Sequence, residues 1–189
     1  MTFIRSAVAA TVLLGAAMAA GPPALAATTD SPFAAFAAVC GDTRADYTAV
    51  AASADAHGWR KTEVTGVAAM PGVTVSEKIS RAAKAGDAPM TLSAWKGTTK
   101  AGVQVSACTV RVTKPVFADL QSGAQAWTGF AAQESAPKKA VYRFADGPDG
   151  RKALAAADYD AAAAGAGMEI LTVSSDSRGA VVDLLKIKK

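Results

Sequence analysis

The residues that could do chemistry in this chain are few, and none completes a signature. Ser93-Ala-Trp-Lys96 has the S-x-x-K spacing in which a lysine one helical turn away takes a proton from a nucleophilic serine. Ser135-Ala-Pro-Lys138 has it too, and the companion S-D-N and K-T-G elements are missing. Met90, Leu92 and Ala94 alternate with Thr91 and Ser93, which predicts a strand and turns Ser93 and Lys96 to opposite faces. His57 is the only histidine, so a zinc site with two histidines is excluded. Its place at the end of a helical pattern suits a helix cap, where an imidazolium meets the negative end of the dipole. Asp146, Asp149, Asp158 and Asp160 fail as a calcium loop, because Pro148 interrupts the alternation and no bidentate glutamate follows. Gly165-Ala-Gly167 lacks a third glycine and precedes a strand pattern, so it is no dinucleotide fingerprint. Carboxylate pairs for glycoside hydrolysis are defined only in three dimensions, and nothing in the sequence singles out two of the 16 acids. No catalytic, cofactor-binding or metal-ligating residue is assigned.

Two kinds of side chain remain. Cys40 and Cys108 are the only cysteines, with no CxxC between them. An even count in an exported chain predicts one structural disulfide, tying an early helix to a later strand. Trp59, Trp95 and Trp127 are the candidates for a binding surface. A place in or over the core is the simpler expectation for each; two of them along one open groove would make a peptide or glycan site credible.

These residues need elements to hold them. Ser31-Pro32 reads as a helix start, and Phe33, Phe36, Ala37 and Cys40 form one stripe, with Gly41 as the stop. A second helix is expected from Asp42 or Thr43 through Tyr47, Val50, Ala51 and Ala54 to His57-Gly58, with Trp59 folding back. Val64 and Val67 suggest a short strand, Met70-Pro71-Gly72 a turn, and Glu77 to Ala85 fits helix or strand. Gly86 to Pro89 reads as a turn. Between Val103 and Val112 the apolar parity switches, which means a bulge or cover on both faces; the bulge is preferred, because double cover needs more helix than the chain offers. Pro115 opens a helix carrying Phe117, Leu120, Ala124 and Trp127 on one side, up to Gly129. Val141 to Phe144 reads as a strand, Asp146 to Gly150 as a turn and Arg151 to Ala164 as an alanine-rich helix. Met168 to Val173 and Ala180 to Ile187 form a closing hairpin.

The assembled expectation is an α+β fold: an antiparallel sheet with two N-terminal helices and one or two later helices packed mainly on one face, stapled by one disulfide. Residues 1–27 have the pattern of a cleaved secretory signal peptide: Arg5, an apolar run from Ala7 to Ala20, and Ala24-Leu25-Ala26, with the cut after Ala26 or Ala27. The run is short of the roughly 20 residues a bilayer span needs, and no cysteine follows the cut as a lipoprotein requires. Residues 28–189 then form a single domain. A formal net charge of +4 is mild, and the cations are spread out apart from Lys186, Lys188 and Lys189, so neither nucleic acid nor a membrane span is expected.

The phenylalanine-bearing helix ending in Cys40, the helix ending Gly58-Trp59, then Trp95 and the strand with Cys108 resemble small secreted proteobacterial proteins of unknown function over about residues 31–113. That resemblance carries over no functional residue. The expected function is an exported, soluble, non-enzymatic periplasmic or secreted module that binds an envelope protein or polymer without a cofactor. The alternatives are a small envelope hydrolase acting on peptidoglycan or an ester, and a carrier of a small ligand.

Overall fold

The alternation that predicts a strand at Met90 to Ala94 is one part of a long sheet. In the computed structural model, which describes residues 31–64, 70–114 and 116–189, the described residues hold nine strands. They are β1 (Arg60–Lys61), β2 (Val73–Ala85), β3 (Ala88–Thr99), β4 (Gln104–Val112), β5 (Glu134–Ala136), β6 (Lys139–Gly147), β7 (Gly150–Ala153), β8 (Met168–Asp176) and β9 (Gly179–Lys188). All pair antiparallel in one sheet of order β1-β2-β3-β4-β9-β8-β6-β5. β7 pairs with the second half of β6, beside β5 on the same edge. The helices are α1 (Pro32–Phe36), α2 (Tyr47–Ala56), α3 (Phe117–Thr128) and α4 (Tyr159–Ala164). None of the described helices is long and apolar enough to cross a membrane.

Turn chemistry fixes the register. Ala85 faces Ala88 across the two-residue turn Gly86-Asp87, and Gly86 supplies the positive φ, 53°, at the first turn position. β6 and β7 turn back through Pro148-Asp149. Gly129, at φ 82°, closes α3.

One face of the sheet carries the main core. Met90, Leu92 and Ala94 of β3, Cys108, Val110 and Val112 of β4, Val182 and Leu184 of β9, Leu171 of β8 and Tyr142 and Phe144 of β6 pack with Phe33, Phe36, Val50, Leu120 and Ala124 of the first three helices. The Cys40–Cys108 disulfide sits inside this cluster; both cysteines are fully buried and their Cα atoms are 5.5 Å apart, as a bridge requires. The closed loop, with a sequence separation of 68, is worth about 4 kcal/mol in the chain-entropy account. A smaller apolar cluster lies on the opposite face, where Trp95, Val105 and Ala107 pack with Met70, Val73, Val75 and Leu185.

That second cluster corrects one expectation. The pairing of β3 with β4, and of β4 with β9, runs without a register shift, so β4 contains no bulge. Its parity switch reflects apolar cover on both faces, which side chains of the sheet itself help to supply, so no extra helix is needed. The bulge lies instead in β2, between Val75 and Glu77. Glu77 to Ala85 is strand throughout. Arg151 to Ala153 pairs with β6 rather than forming the start of a helix, and only Tyr159–Ala164 is α-helical in that stretch. Alanine is compatible with both states, so tertiary pairing decides. The strand expected around Val64 falls on Arg60–Lys61; Val67, Pro115 and the leader lie outside the described residues.

Candidate functional site

The turn between α1 and α2 departs most from ideal backbone. α1 runs on through a π-helical turn, Ala37–Gly41, with Asp42 N–H donating to Ala37 O at 2.7 Å. Gly41 does not stop the helix by a positive φ. Its missing side chain makes room for Trp127, since a Cβ there would lie 2.8 Å from the indole. Arg44 and Ala45 then take left-handed backbone, at φ 54° and 52°. Neither is a glycine, so each costs about 1 kcal/mol or more. This left-handed pair also delays α2, which begins after the Asp46 cap, Oδ1 accepting from Ala49 N–H, and not at Asp42 or Thr43.

The strained turn brings Arg44 down onto the sheet. Its Nε donates to Glu169 Oε1 at 2.7 Å, its Nη2 lies 2.7 Å from the same oxygen, and Asp146 Oδ2 is 2.9 Å from Nε. Glu169 is completely buried, and its Oε2 meets no donor among the described residues. Burial pushes the Glu169 carboxyl above its ordinary value; the Arg44 charge and hydrogen bond oppose this, Asp146 adds to it, and Lys186 opposes it weakly. Asp146 also lies 3.6 Å from Arg151 Nε. The Arg151 guanidinium stacks 3.5 Å over the Trp127 ring and donates to Trp127 O at 2.9 Å. A chain of paired charge thus runs from Glu169 to the indole.

Sheet register extends this chain the other way. Glu77, Lys96, Ser106, Lys186, Glu169 and Phe144 are successive cross-strand partners from β2 to β6. They form one row on the helix-bearing face. Lys96 Nζ pairs with Glu77 at 2.7 Å and lies 5.4 Å from the centre of the Tyr47 ring on α2. The hydrogen bond that Lys96 donates to Glu77 raises the Lys96 pKa, and desolvation, then Glu77, raises that of Tyr47. Lys186 and Lys188 have no acidic partner among the described ion pairs.

Here the seam opens. A cleft of about 450 Å³ is lined by Lys96, Lys186, Lys188, Ser106, Gln104 and Asp46, among others. The volume is in the range of small-ligand sites. A larger hollow on α3, about 640 Å³ between Gln121, Gln125 and Phe130, has no charged lining.

The sequence-derived candidates do not share one groove. Trp59 is buried in the main core, Trp95 is buried in the cluster on the opposite face, and Trp127 is half-buried beneath Arg151. Ser93 and Lys96 occupy opposite faces of β3, as alternation dictates. His57 caps α2, with Nδ1 2.8 Å from Ser53 O, and Ser53 Oγ donates to Ala38 O at 3.0 Å, so that serine's proton is already committed. The described residues contain no group of three or more metal-ligating side chains.

Sequence reasoning missed Arg44 and Glu169, and read Lys186 only as one of the clustered cations Lys186, Lys188 and Lys189. A signal was present: Glu169 shares its parity with Leu171 and Val173, and Lys186 with Val182 and Leu184, so both had to face the core side of their strands. Comparison of the chain with protein-family models, with curated proteins and with solved structures finds no match.

Proposed function

We propose that this chain is an exported, non-enzymatic binding module of α+β type, its helices mainly on one sheet face, that holds an envelope component outside the cytosol. The observation that carries this reading is the lysine-lined cleft. It is open, it stands on side chains fixed by sheet register, and its row continues through Lys186 to Glu169, which Arg44 holds in place. Such a site is preorganised to hold a ligand. The composition of the leader, the buried disulfide and the resemblance of residues 31–113 to small secreted proteobacterial proteins support export.

The same geometry disfavours hydrolysis. Asp146 and Glu169 do converge, but on Arg44: Glu169 is completely buried, and the partly exposed Asp146 is tied up between Arg44 and Arg151. The test is to incubate the mature, oxidised protein with envelope extract, identify what it retains and rebuild the pair from purified components. Reproducible, saturable binding to one envelope component is the expected result. Cytosolic fractionation of the full chain, or turnover of peptidoglycan or ester by the purified protein, would sink the proposal.

A further inference from the structure

The cleft's lining points to a narrower ligand class, and the assignment rests on the binding-module reading. We infer that it binds an acidic saccharide, a sugar ring carrying one carboxylate or phosphate. Lys186 and Lys188 are two apart on β9 and share a face, which sets their Cα atoms about 7 Å apart. Two flexible ammonium groups at that spacing can both reach one oxyanion. Lys96 adds little, because Glu77 already holds its charge at 2.7 Å. The net attraction therefore fits a single anionic group and not a polyphosphate.

The rest of the lining is wrong for a bare anion and suited to a ring of hydroxyls. Ser106, Thr98 and Gln104 each offer both a donor and an acceptor, and Ser76, whose hydroxyl already donates to Lys96 O at 3.2 Å, offers an acceptor. Asp46 contributes a carboxylate, of which only Oδ1 is occupied, by the Ala49 N–H. A carboxylate beside the lysines repels a lone oxyanion, but it accepts hydrogen bonds from sugar hydroxyls. The volume, about 450 Å³, also far exceeds what one oxyanion fills. The lysines would hold the charge, and the serines, Thr98, Gln104 and Asp46 would read the ring.

The experiment is calorimetric titration of the mature, oxidised protein with four probes: galacturonic acid, glucose 6-phosphate, maltotetraose and inorganic phosphate. At least one acidic sugar should bind, with the first two probes separating carboxylate from phosphate. Maltotetraose and inorganic phosphate should bind at least tenfold more weakly. Joint Lys186→Ala and Lys188→Ala substitution should weaken acidic-sugar binding at least about tenfold, because it removes both charge-assisted contacts to the anionic group. Lys188→Gln, at an exposed end of β9, repeats the test should the double variant not fold. Asp46→Asn keeps a good helix cap and should weaken the same sugar several-fold. Failure of both acidic sugars to bind, equal binding of inorganic phosphate, or unchanged affinity in the lysine variants would each overturn the assignment. If those variants still retain the same envelope component, the broader reading survives that failure. If sugar binding holds but no envelope component is recovered, only the broader reading falls.

Discussion

Two rows of side chains cross the same face of the sheet, one alternate position apart, and they are held by opposite means. The first is Ile79, Ala94, Cys108, Leu184, Leu171 and Tyr142; the second is Glu77, Lys96, Ser106, Lys186, Glu169 and Phe144. The strands and their twist are common to both. What differs is the cover. Helix residues including Phe36, Val39, Cys40 and Leu120 close over the apolar row, and burial there gains about 25 cal/mol per Å² without demanding a particular geometry. Over the polar row lie Tyr47 and the strained Arg44, and each charge must find its partner or bear its desolvation. The apolar row gives the fold its stability. The polar row is where the molecule keeps charge and an opening at the cost of stability.

That contrast can be broken by substitution. Cys40→Ala should lower unfolding free energy by about 2–5 kcal/mol in urea melts, because it removes both the bridge and a buried contact. A loss below 1 kcal/mol would mean the apolar row does not need its staple. Arg44→Ala should cost less, about 2 kcal/mol: it leaves Glu169 buried without its partner, yet Arg44 is a third exposed and its charge partly screened. Adding Glu169→Gln to Arg44→Ala should restore most of that loss, by the double-mutant cycle. Additive losses would show that the two residues do not act as a pair.

The acid-range pH profile sharpens the comparison further. Folded Glu169 keeps its proton to higher pH than the unfolded chain, where 4.5 is the ordinary value. Across the window from 4.5 upward the folded form therefore binds more protons, and stability falls as pH rises. Glu169→Gln should flatten that fall. Part of the slope should remain, because burial also pushes Asp183 up against an opposing hydrogen bond from Thr109. Asp160 and Asp176 pull the other way, held down chiefly by Lys189 and by the Arg178 backbone respectively. A variant whose profile matches the wild type would remove Glu169 from the account. The smallest effect belongs to Arg151→Gln, about 0.5–1 kcal/mol for a partly exposed cation over an indole, read as a small shift in melting and in Trp127 fluorescence.

Much of the apolar row was legible in the sequence. Cysteine parity, the Phe33/Phe36 stripe, the alternation at Met90 to Ala94, Gly129 after α3 and the terminal hairpin each have a local cause that survives folding. Arg151 to Ala153 and Glu77 to Ala85 were harder to read, because alanine accepts helix and strand alike. The bulge was misplaced because a parity switch reads the same whether a strand bulges or is covered on both faces. The polar row was hidden for another reason. Arg44 and Glu169 are 125 residues apart, and no local pattern announces that a left-handed turn will lower an arginine onto a strand. Only the parity of Glu169 with Leu171 gave half of the answer.

β9 follows the other eight strands in the chain, yet it lies between β4 and β8. Until it emerges, β1 to β4 and β5 to β8 are two separate ribbons. Both thiols of the bridge belong to the first ribbon and its helix, so oxidation can precede completion of the sheet. The cleft cannot, since Lys186 and Lys188 arrive with β9 itself. Chains arrested before residue 179 should form the Cys40–Cys108 bond under oxidising conditions but retain no cleft ligand. If such chains stay reduced, β9 is also what closes the staple.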